Sequence, residues 1–386
     1  TLIDRFNVTI ELKTLEKRLK IPCIDETGYI ENYLIDKYPL LLRGGIWGAG
    51  RLSYHPPDPE SRRKWGEIWL TDFKPLQIAS LDLDYYCEQK SQFTLNEWKD
   101  ILLNSMGYNP QSYNVNQQYI LLTRLIPIVQ SRINIVEFAP KGTGKSFIYS
   151  NLSRYVRMIS GGKVTAAVLF YHLVTNQPGL LTQYDLVVFD ETQSISFDNP
   201  GEVIGILKDY LESGRFTRGK QLATAAAGIM FLGNIPIGSN GLPREPILFK
   251  NVPEFLRETA FIDRLHGLIP GWKLPRISVN SPSKGIGLKA DYFSEVLHLF
   301  RDRGEYDEYV SKHMKISGTK DMRDRKAVKR ITTGYLKLLF PDLKLSLEEF
   351  LNYCVNPSVQ LRQIIREELA KMDPEYKITT IIGGVK

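Results

Sequence analysis

The sequence predicts an α/β protein built on a doubly wound parallel sheet, with a β-rich segment before it and a helical segment after it. Three observations predict this. The first is Ile135-Val136-Glu137-Phe138-Ala139-Pro140-Lys141-Gly142-Thr143-Gly144-Lys145-Ser146: an apolar run, a loop with two glycines, then Lys-Ser opening a helix. The second is Asp185-Leu186-Val187-Val188-Phe189-Asp190-Glu191, a β-branched run ending in two carboxylates. Lacking alternation, it reads as a strand buried on both faces. The third is a change of period, from two near the N-terminus to three and four from Thr94 to about Ser131, then alternating strand and helix segments.

Taken in order, residues 1–93 form a β-rich N-terminal domain. Phe6-Asn7-Val8-Thr9-Ile10-Glu11-Leu12 alternates as a half-buried strand should. Gly44 to Leu52 is a weaker strand whose glycines suggest a bulge or close backbone approach. The turn His55-Pro56-Pro57-Asp58-Pro59 leads to a strand at Gly66-Glu67-Ile68-Trp69-Leu70. With one helix near Ile30 to Tyr38, these strands suit a small barrel of the oligonucleotide-binding (OB) type. Residues 94–131 are a helical connector, with Trp98, Ile101 and Leu102, then Ile120, Leu121, Leu125 and Ile126, at helical spacing. Residues 132–282 hold the α/β nucleotide-binding core. Residues 283–386 form a helical lid and C-terminal segment, including the amphipathic run Tyr335 to Phe340 closed by Pro341.

The chemistry follows from residue type and spacing. Bare backbone N–H groups of Pro140-Lys141-Gly142-Thr143-Gly144-Lys145-Ser146 can approach phosphates closely; Lys145 places charge on the β/γ-phosphates, and Ser146 reaches Mg²⁺. The general pattern opens with Gly where this chain has Ala139, which serves if its φ stays negative. Asp190 would hold Mg²⁺ through water, and Glu191 would polarise the water attacking the γ-phosphate of ATP. Asn234 ends the apolar run Ile229-Met230-Phe231-Leu232-Gly233, and in a strand between the loop and the acidic strand it would orient that water; a turn-forming Asn before Pro236 is the other reading. Arg264 stands beyond an apolar pair and could stabilise charge on a neighbouring subunit's ATP, or form an ordinary surface ion pair. Arg323 and Arg330 lie seven apart on one helix face; one would close over the γ-phosphate in a ring, and without a ring they read as a solvated charge run. Around Gly219, two short β-capable segments suggest a hairpin with a basic tip, where Arg215, Arg218 and Lys220 would grip a phosphate backbone.

Bulk numbers set the limits. With 386 residues the chain has room for two or three domains. The hydrophobic, aromatic and charged fractions, 43%, 11% and 24%, are those of a soluble globular protein. No apolar run approaches the ~20 residues of a membrane helix, and no basic-then-apolar secretory signal opens the chain, which starts with Thr1. Cys23, Cys87 and Cys354 are isolated, as expected of a reducing cytoplasm, and the five histidines show no ligand spacing. Fifty Lys and Arg against forty-three Asp and Glu give a net +7, which suits a polyanionic partner or simply a solvated basic surface.

These residues, in this order, resemble the AAA+ superfamily, and specifically the BrxL family, the Lon-protease-like proteins of the BREX anti-phage defence system. The matching phrases are Leu41-Leu42-Arg43-Gly44-Gly45-Ile46-Trp47, Glu137 to Ser146, Lys208-Asp209-Tyr210-Leu211-Glu212-Ser213-Gly214-Arg215-Phe216-Thr217-Arg218-Gly219, and Asp263-Arg264-Leu265-His266-Gly267-Leu268-Ile269-Pro270-Gly271-Trp272. The resemblance implies Lys145 and Ser146 as the phosphate loop, Asp190 and Glu191 as the acidic pair, Asn234 as first sensor, Arg264 as the arginine finger and Arg323 as second sensor. It also implies kinship with minichromosome-maintenance helicases, whose rings surround DNA. The function expected is a cytoplasmic ring ATPase, hexameric or heptameric and open to stacking, that uses ATP and Mg²⁺ and encircles double-stranded DNA beside other BREX components. Two alternatives stand: a Lon-like protein-unfolding motor, for which Val168-Leu169-Phe170-Tyr171 is the one pore-loop candidate and reads as core, and a nucleotide-gated scaffold with little turnover. The chain ends at Ile382-Gly383-Gly384-Val385-Lys386, about where that family's protease portion would begin, so no peptidase activity is expected of these residues.

Overall fold

Contact clustering separates Thr1–Asp82 from Leu83–Lys386 as two compact units of the computed structural model, which describes residues 1–11, 16–42, 45–57, 65–76, 81–174 and 177–386. The division falls at Asp82 rather than at 93. The reason is α2 (Leu83–Lys90), whose Tyr86 ring packs 5.4 Å from Trp98 and 5.9 Å from Phe300, both in the second unit. Leu12, Arg43, Gly44, Asp58 and Pro59 of the predicted segments lie outside the described residues.

In the first unit, β1 (Leu2–Glu11), β2 (Glu16–Ile21), β3 (Glu26–Ile30), β4 (Ile46–His55) and β5 (Glu67–Pro75) close into a barrel in the order β1-β2-β3-β5-β4. Strands β3 and β5 run parallel, the other pairs antiparallel, and α1 (Asn32–Lys37) lies between β3 and β4 in sequence. Alternating side chains fill the interior: Phe6 and Val8, Leu19 and Ile21, Leu70 and Phe73. The glycines of β4 are needed for that filling. A Cβ on Gly48 would stand 2.2 Å from the Phe73 ring and one on Gly50 2.5 Å from the Phe6 ring, and the β4–β5 register shifts between Arg51 and Leu52.

The second unit opens with α3 (Leu95–Ser105) and α4 (Val115–Thr123), both started by reciprocal capping boxes, Thr94 with Glu97 and Asn114 with Gln117, and then α5 (Ile126–Val129). The central sheet is wholly parallel. Its strands are β6 (Asn134–Ala139), β7 (Val156–Val164), β10 (Leu186–Phe197), β13 (Gly228–Asn234) and β14 (Gly267–Pro270), in the spatial order β14-β6-β13-β10-β7. Every residue of β6 is buried, which is why its sequence shows no alternation. Between these strands run α6 (Lys145–Asn151), α7 (Ala166–Leu169), the short pair β8 (Tyr171–His172) and β9 (Gln177–Pro178), α8 (Leu180–Gln183), α9 (Pro200–Ser213), the hairpin β11 (Arg215–Arg218) and β12 (Gln221–Thr224), and α10 (Thr259–Ile262). Phenylalanines bind the layers together; Phe189 and Phe231 stack at 5.1 Å on neighbouring strands, and Phe255 and Phe261 meet edge to face at 5.6 Å.

After the sheet come α11 (Ala290–Phe300), α12 (Glu305–His313), β15 (Met314–Ser317), α13 (Met322–Leu339), α14 (Leu347–Phe350), α15 (Asn356–Met372) and β16 (Ile382–Val385), which pairs with β15. The predicted amphipathic run forms the end of α13. There Leu336, Leu338 and Leu339 are buried, and the Trp98 indole donates to the Leu338 carbonyl at 2.8 Å. No helix among the described residues is long and apolar enough to cross a membrane.

Candidate nucleotide-binding site

The strand order brings three sequence-predicted groups to one edge of the sheet. Strand β6 ends at Ala139 and passes into the loop 140–144; β13, between β6 and β10, ends at Asn234; β10 carries Asp190. In an open parallel sheet this carboxyl edge is where ligands bind. Gly142 (φ +84°) and Gly144 (φ +73°) take backbone conformations that L side chains disfavour, and Lys145 opens α6 directly after Gly144. Ala139 keeps a non-positive φ, is fully buried as the last residue of β6, and pairs with Asn234.

Lys145 Nζ donates to Asn234 Oδ1 at 2.5 Å. The ammonium is only 7% exposed, and burial pushes its pKa down against the pull of Glu137 and Asp190. A phosphate arriving here would restore the counter-charge that burial denies it. Asp190 is buried and accepts from the Glu191 amide at 2.9 Å, while Glu191 is exposed. Glu191 sits at φ +49°, a strained position costing on the order of 1–3 kcal/mol. The strain accompanies a bulge: the register shifts so that Glu191–Ser194 face Gly161 alone on β7. Any Cβ on Gly161 would lie 2.9 Å from Ser194 Oγ and 4.0 Å from Glu191 Oε2. Gln193 Nε2 donates to the Asn234 carbonyl at 2.7 Å, tying the bulge to the Asn234 strand end.

Sequence reasoning missed what holds the loop from below. Arg124 Nη2 and Nε bond both oxygens of Glu137, at 2.6 and 3.1 Å, with both side chains fully buried. The same guanidinium donates to the Tyr108 hydroxyl (2.8 Å) and the Thr143 carbonyl (3.3 Å), and Tyr108 donates to the Gly144 carbonyl (3.1 Å). The available signal was a lone Glu inside the apolar run of β6, because a buried charge needs a partner.

Arg264 and Arg323 do not join Lys145. Both stand at the opposite, amino edge of the sheet, where the His266 amide bonds the Asn134 carbonyl at the start of β6. The two edges are about 17 Å apart, five residue steps at roughly 3.3 Å each. Arg323 donates to Glu212 (2.9 Å) and Asp263 (2.7 Å), and Arg264 Nε lies 3.7 Å from the same Glu212 carboxylate. Arg362, fully buried, bonds Asp263 and Asp324, each at 2.8 Å, so lid helices α13 and α15 are fixed to this edge. An Arg323 closing over its own chain's phosphates is therefore corrected: its guanidinium faces the other way. Arg330 shares this edge, donating to the Ser131 carbonyl at 2.9 Å.

The predicted basic hairpin is present as β11–β12, with Gly219 (φ +59°) first in its two-residue turn. Arg215 and Lys220 are exposed. Arg218 is not available in the same way, since its Nε bonds Glu202 at 3.0 Å and its Nη1 donates to the Tyr171 carbonyl. The pore-loop candidate is core: Leu169 and Phe170 are fully buried.

With this geometry in hand, comparison with known proteins is informative. The family model for "Lon-like protease BrxL-like, ATPase domain" matches residues 68–381. The chain is 34% identical over 374 residues to a Lon-like protease BrxL of Escherichia coli O9:H4 (strain HS), covering 96% of this chain and 53% of that protein. It is 33% identical over 378 residues to a Lon-like protease BrxL of Bacillus cereus (strain H3081.97), covering 96% and 55%. An uncharacterized protein, ORF426 of Acidianus filamentous virus 1, is 24% identical over 229 residues, 52% of this chain and 53% of its own length. The chain thus spans about half the length of the two BrxL relatives.

Proposed function

Because the chain belongs to the BrxL-like ATPase-domain family, we propose that it is an AAA+ ATPase that assembles with copies of itself into a ring around double-stranded DNA and acts in BREX-type defence against phage in the cytoplasm. The observation that carries this reading is the separation of the cradle from the arginines: Lys145, Asn234 and Asp190 at one edge of the sheet, Arg264 and Arg323 at the other. A guanidinium about 17 Å from its own chain's phosphates can stabilise transition-state charge only on a neighbour's. The spatial order β14-β6-β13-β10-β7, with the Asn234 strand between the loop strand and the acidic strand, supports an AAA+ core; helices α11–α15 supply its lid. For the first unit, the closed five-strand order supports an OB-like barrel.

ATP would seat its phosphates on the loop amides from Pro140 to Ser146, with Lys145 passing from Asn234 to the γ-phosphate. Ser146 and Asp190 are hard oxygen donors of the kind Mg²⁺ takes alongside phosphates and water, and the ion would draw charge from the leaving oxygens. Released from Lys145, Asn234 orients the attacking water, and Glu191, beside it on the strained bulge, accepts its proton. Arg215 and Lys220 present charge for a phosphate backbone, which accords with the net +7.

The test is Glu191→Gln. It should retain ATP and lose turnover at least a hundredfold, while duplex DNA raises turnover of the unmodified protein in a manner that fades with salt. Turnover unchanged in the variant would remove Glu191 from the chemistry; salt-insensitive DNA binding, or none, would remove the DNA half.

A further inference from the structure

At the amino edge of the sheet lies a cavity of about 520 Å³, distant from the phosphate loop. Seven cationic side chains line it against three carboxylates. The carboxylates do not neutralise the cations evenly. Glu212 and Asp263 serve Arg264, Arg323 and Arg362, whereas among the described residues Arg132, Lys326, Lys329 and Arg330 have no carboxylate oxygen within 4.0 Å. Arg330 is bonded only to carbonyls, of Ser131 and Arg132, and Arg132 to the Glu212 carbonyl at 3.4 Å. Arg264 Nε is buried with no hydrogen-bond acceptor. Arg132 itself is held at φ +56°, an unusual conformation for a bulky side chain.

Four unpaired cations and an unsatisfied guanidinium N–H around one enclosed space describe a missing anion. The volume is that of a small-molecule site, too closed for the face of a folded protein. Guanidinium forks match phosphate oxygens in pairs, which favours phosphate over a single carboxylate. We propose that this cavity is a polyphosphate-binding site, in which Arg132, Lys326, Lys329 and Arg330 neutralise the phosphates and Arg264 and Arg323 join them on leaving Glu212. The surroundings agree: burial, then Arg330 and Arg362, push the His266 pKa down to about 3, as a strongly positive neighbourhood would. The phosphates come from one of two sources. They belong to a nucleotide held in the loop of an adjoining copy, which rests on the ring reading above, or to a second, free nucleotide.

The experiment uses the full chain carrying Lys145→Ala, which cripples its own loop, titrated calorimetrically with inorganic tripolyphosphate. One tripolyphosphate per chain should bind, and adding Lys326→Ala with Lys329→Ala should weaken it at least tenfold. Lys326 is exposed and Lys329 half-buried on α13, so that pair leaves the fold intact; Arg330→Gln, which touches the Ser131 carbonyl, is the second variant. Absence of binding, or binding indifferent to both variants, overturns the proposal. A mixing arm separates the sources. If the phosphates come from an adjoining copy, Lys145→Ala mixed with the Lys326/Lys329 double variant hydrolyses ATP faster than either alone. For a free nucleotide, mixing gives no gain and the unmodified chain binds two nucleotides. No gain with one nucleotide per chain overturns both. Failure of the ATPase reading would show as an inactive unmodified protein and would leave the tripolyphosphate titration readable.

Discussion

Ala139 and Glu191 show how single residues express the site's constraints. The loop pattern asks for Gly at the first position, yet Ala139 is the last residue of a buried strand with ordinary φ, and a Cβ built on Gly271 would come within 2.8 Å of its own. Ala139→Gly should therefore leave ATP affinity within twofold and lower stability by roughly 0.5–1 kcal/mol, because Gly loses more backbone freedom on folding; isothermal titration and urea unfolding check the two halves. Glu191 could be picked from the sequence as the second of two carboxylates, but its positive φ and the bulge against Gly161 could not, since strain belongs to tertiary pairing. His266 was read as one of five scattered histidines. It is buried, and its Nδ1 accepts from the Asn134 amide at 3.0 Å. With a folded pKa near 3 below the unfolded value near 6.5, the unfolded chain binds the extra proton between those pH values. Stability from this group is complete above about pH 6.5 and falls as acid is added, by about 1.4 kcal/mol per pH unit. His266→Gln should flatten the pH dependence of unfolding free energy between pH 4 and 6 by about that slope; identical slopes would place the histidine in a solvated setting.

Elements were legible where one rule decided them. The unalternating runs of β6, β10 and β13 were readable because both faces are covered, and the capped helices α3 and α4 because helical spacing dominates there. Strands β2 and β3 were not individually legible: Glu16–Ile21 and Glu26–Ile30 are short, charged or glycine-bearing, and take their conformation from barrel closure. The hairpin β11–β12 was predicted, but not that Arg218 is spent on Glu202 of α9, an ion pair sixteen residues away in sequence. That pairing makes a sharp prediction at the element scale. Replacing both Arg215 and Lys220 with Ala should weaken duplex DNA binding and reduce the slope of log affinity against log salt by about 2, whereas Arg218→Ala should change the slope by less than 1. Fluorescence anisotropy across a salt series reads both. Equal effects from all three side chains would mean that Arg218 leaves Glu202 when DNA binds.

For the whole molecule, the sequence could supply the phosphate loop, the acidic pair and the two arginines but not their partition between opposite sheet edges. Spacing along the chain does not say which end of a strand a residue occupies; the parallel register of β14 on β6 does, because it fixes Arg264 ahead of the strand start and Ala139 at the strand finish. The network Arg264–Glu212–Arg323–Asp263–Arg362–Asp324 then makes that edge one charged unit shared by core and lid. Such a layout leaves each chain with half of what hydrolysis requires. The direct measurement is ATP turnover per chain over a thousandfold range of protein concentration, with sedimentation velocity on the same samples. Turnover per chain should rise in step with the assembled fraction and approach zero where the protein sediments as a monomer. A monomer that hydrolyses ATP at the same rate per chain at every concentration would contradict the account.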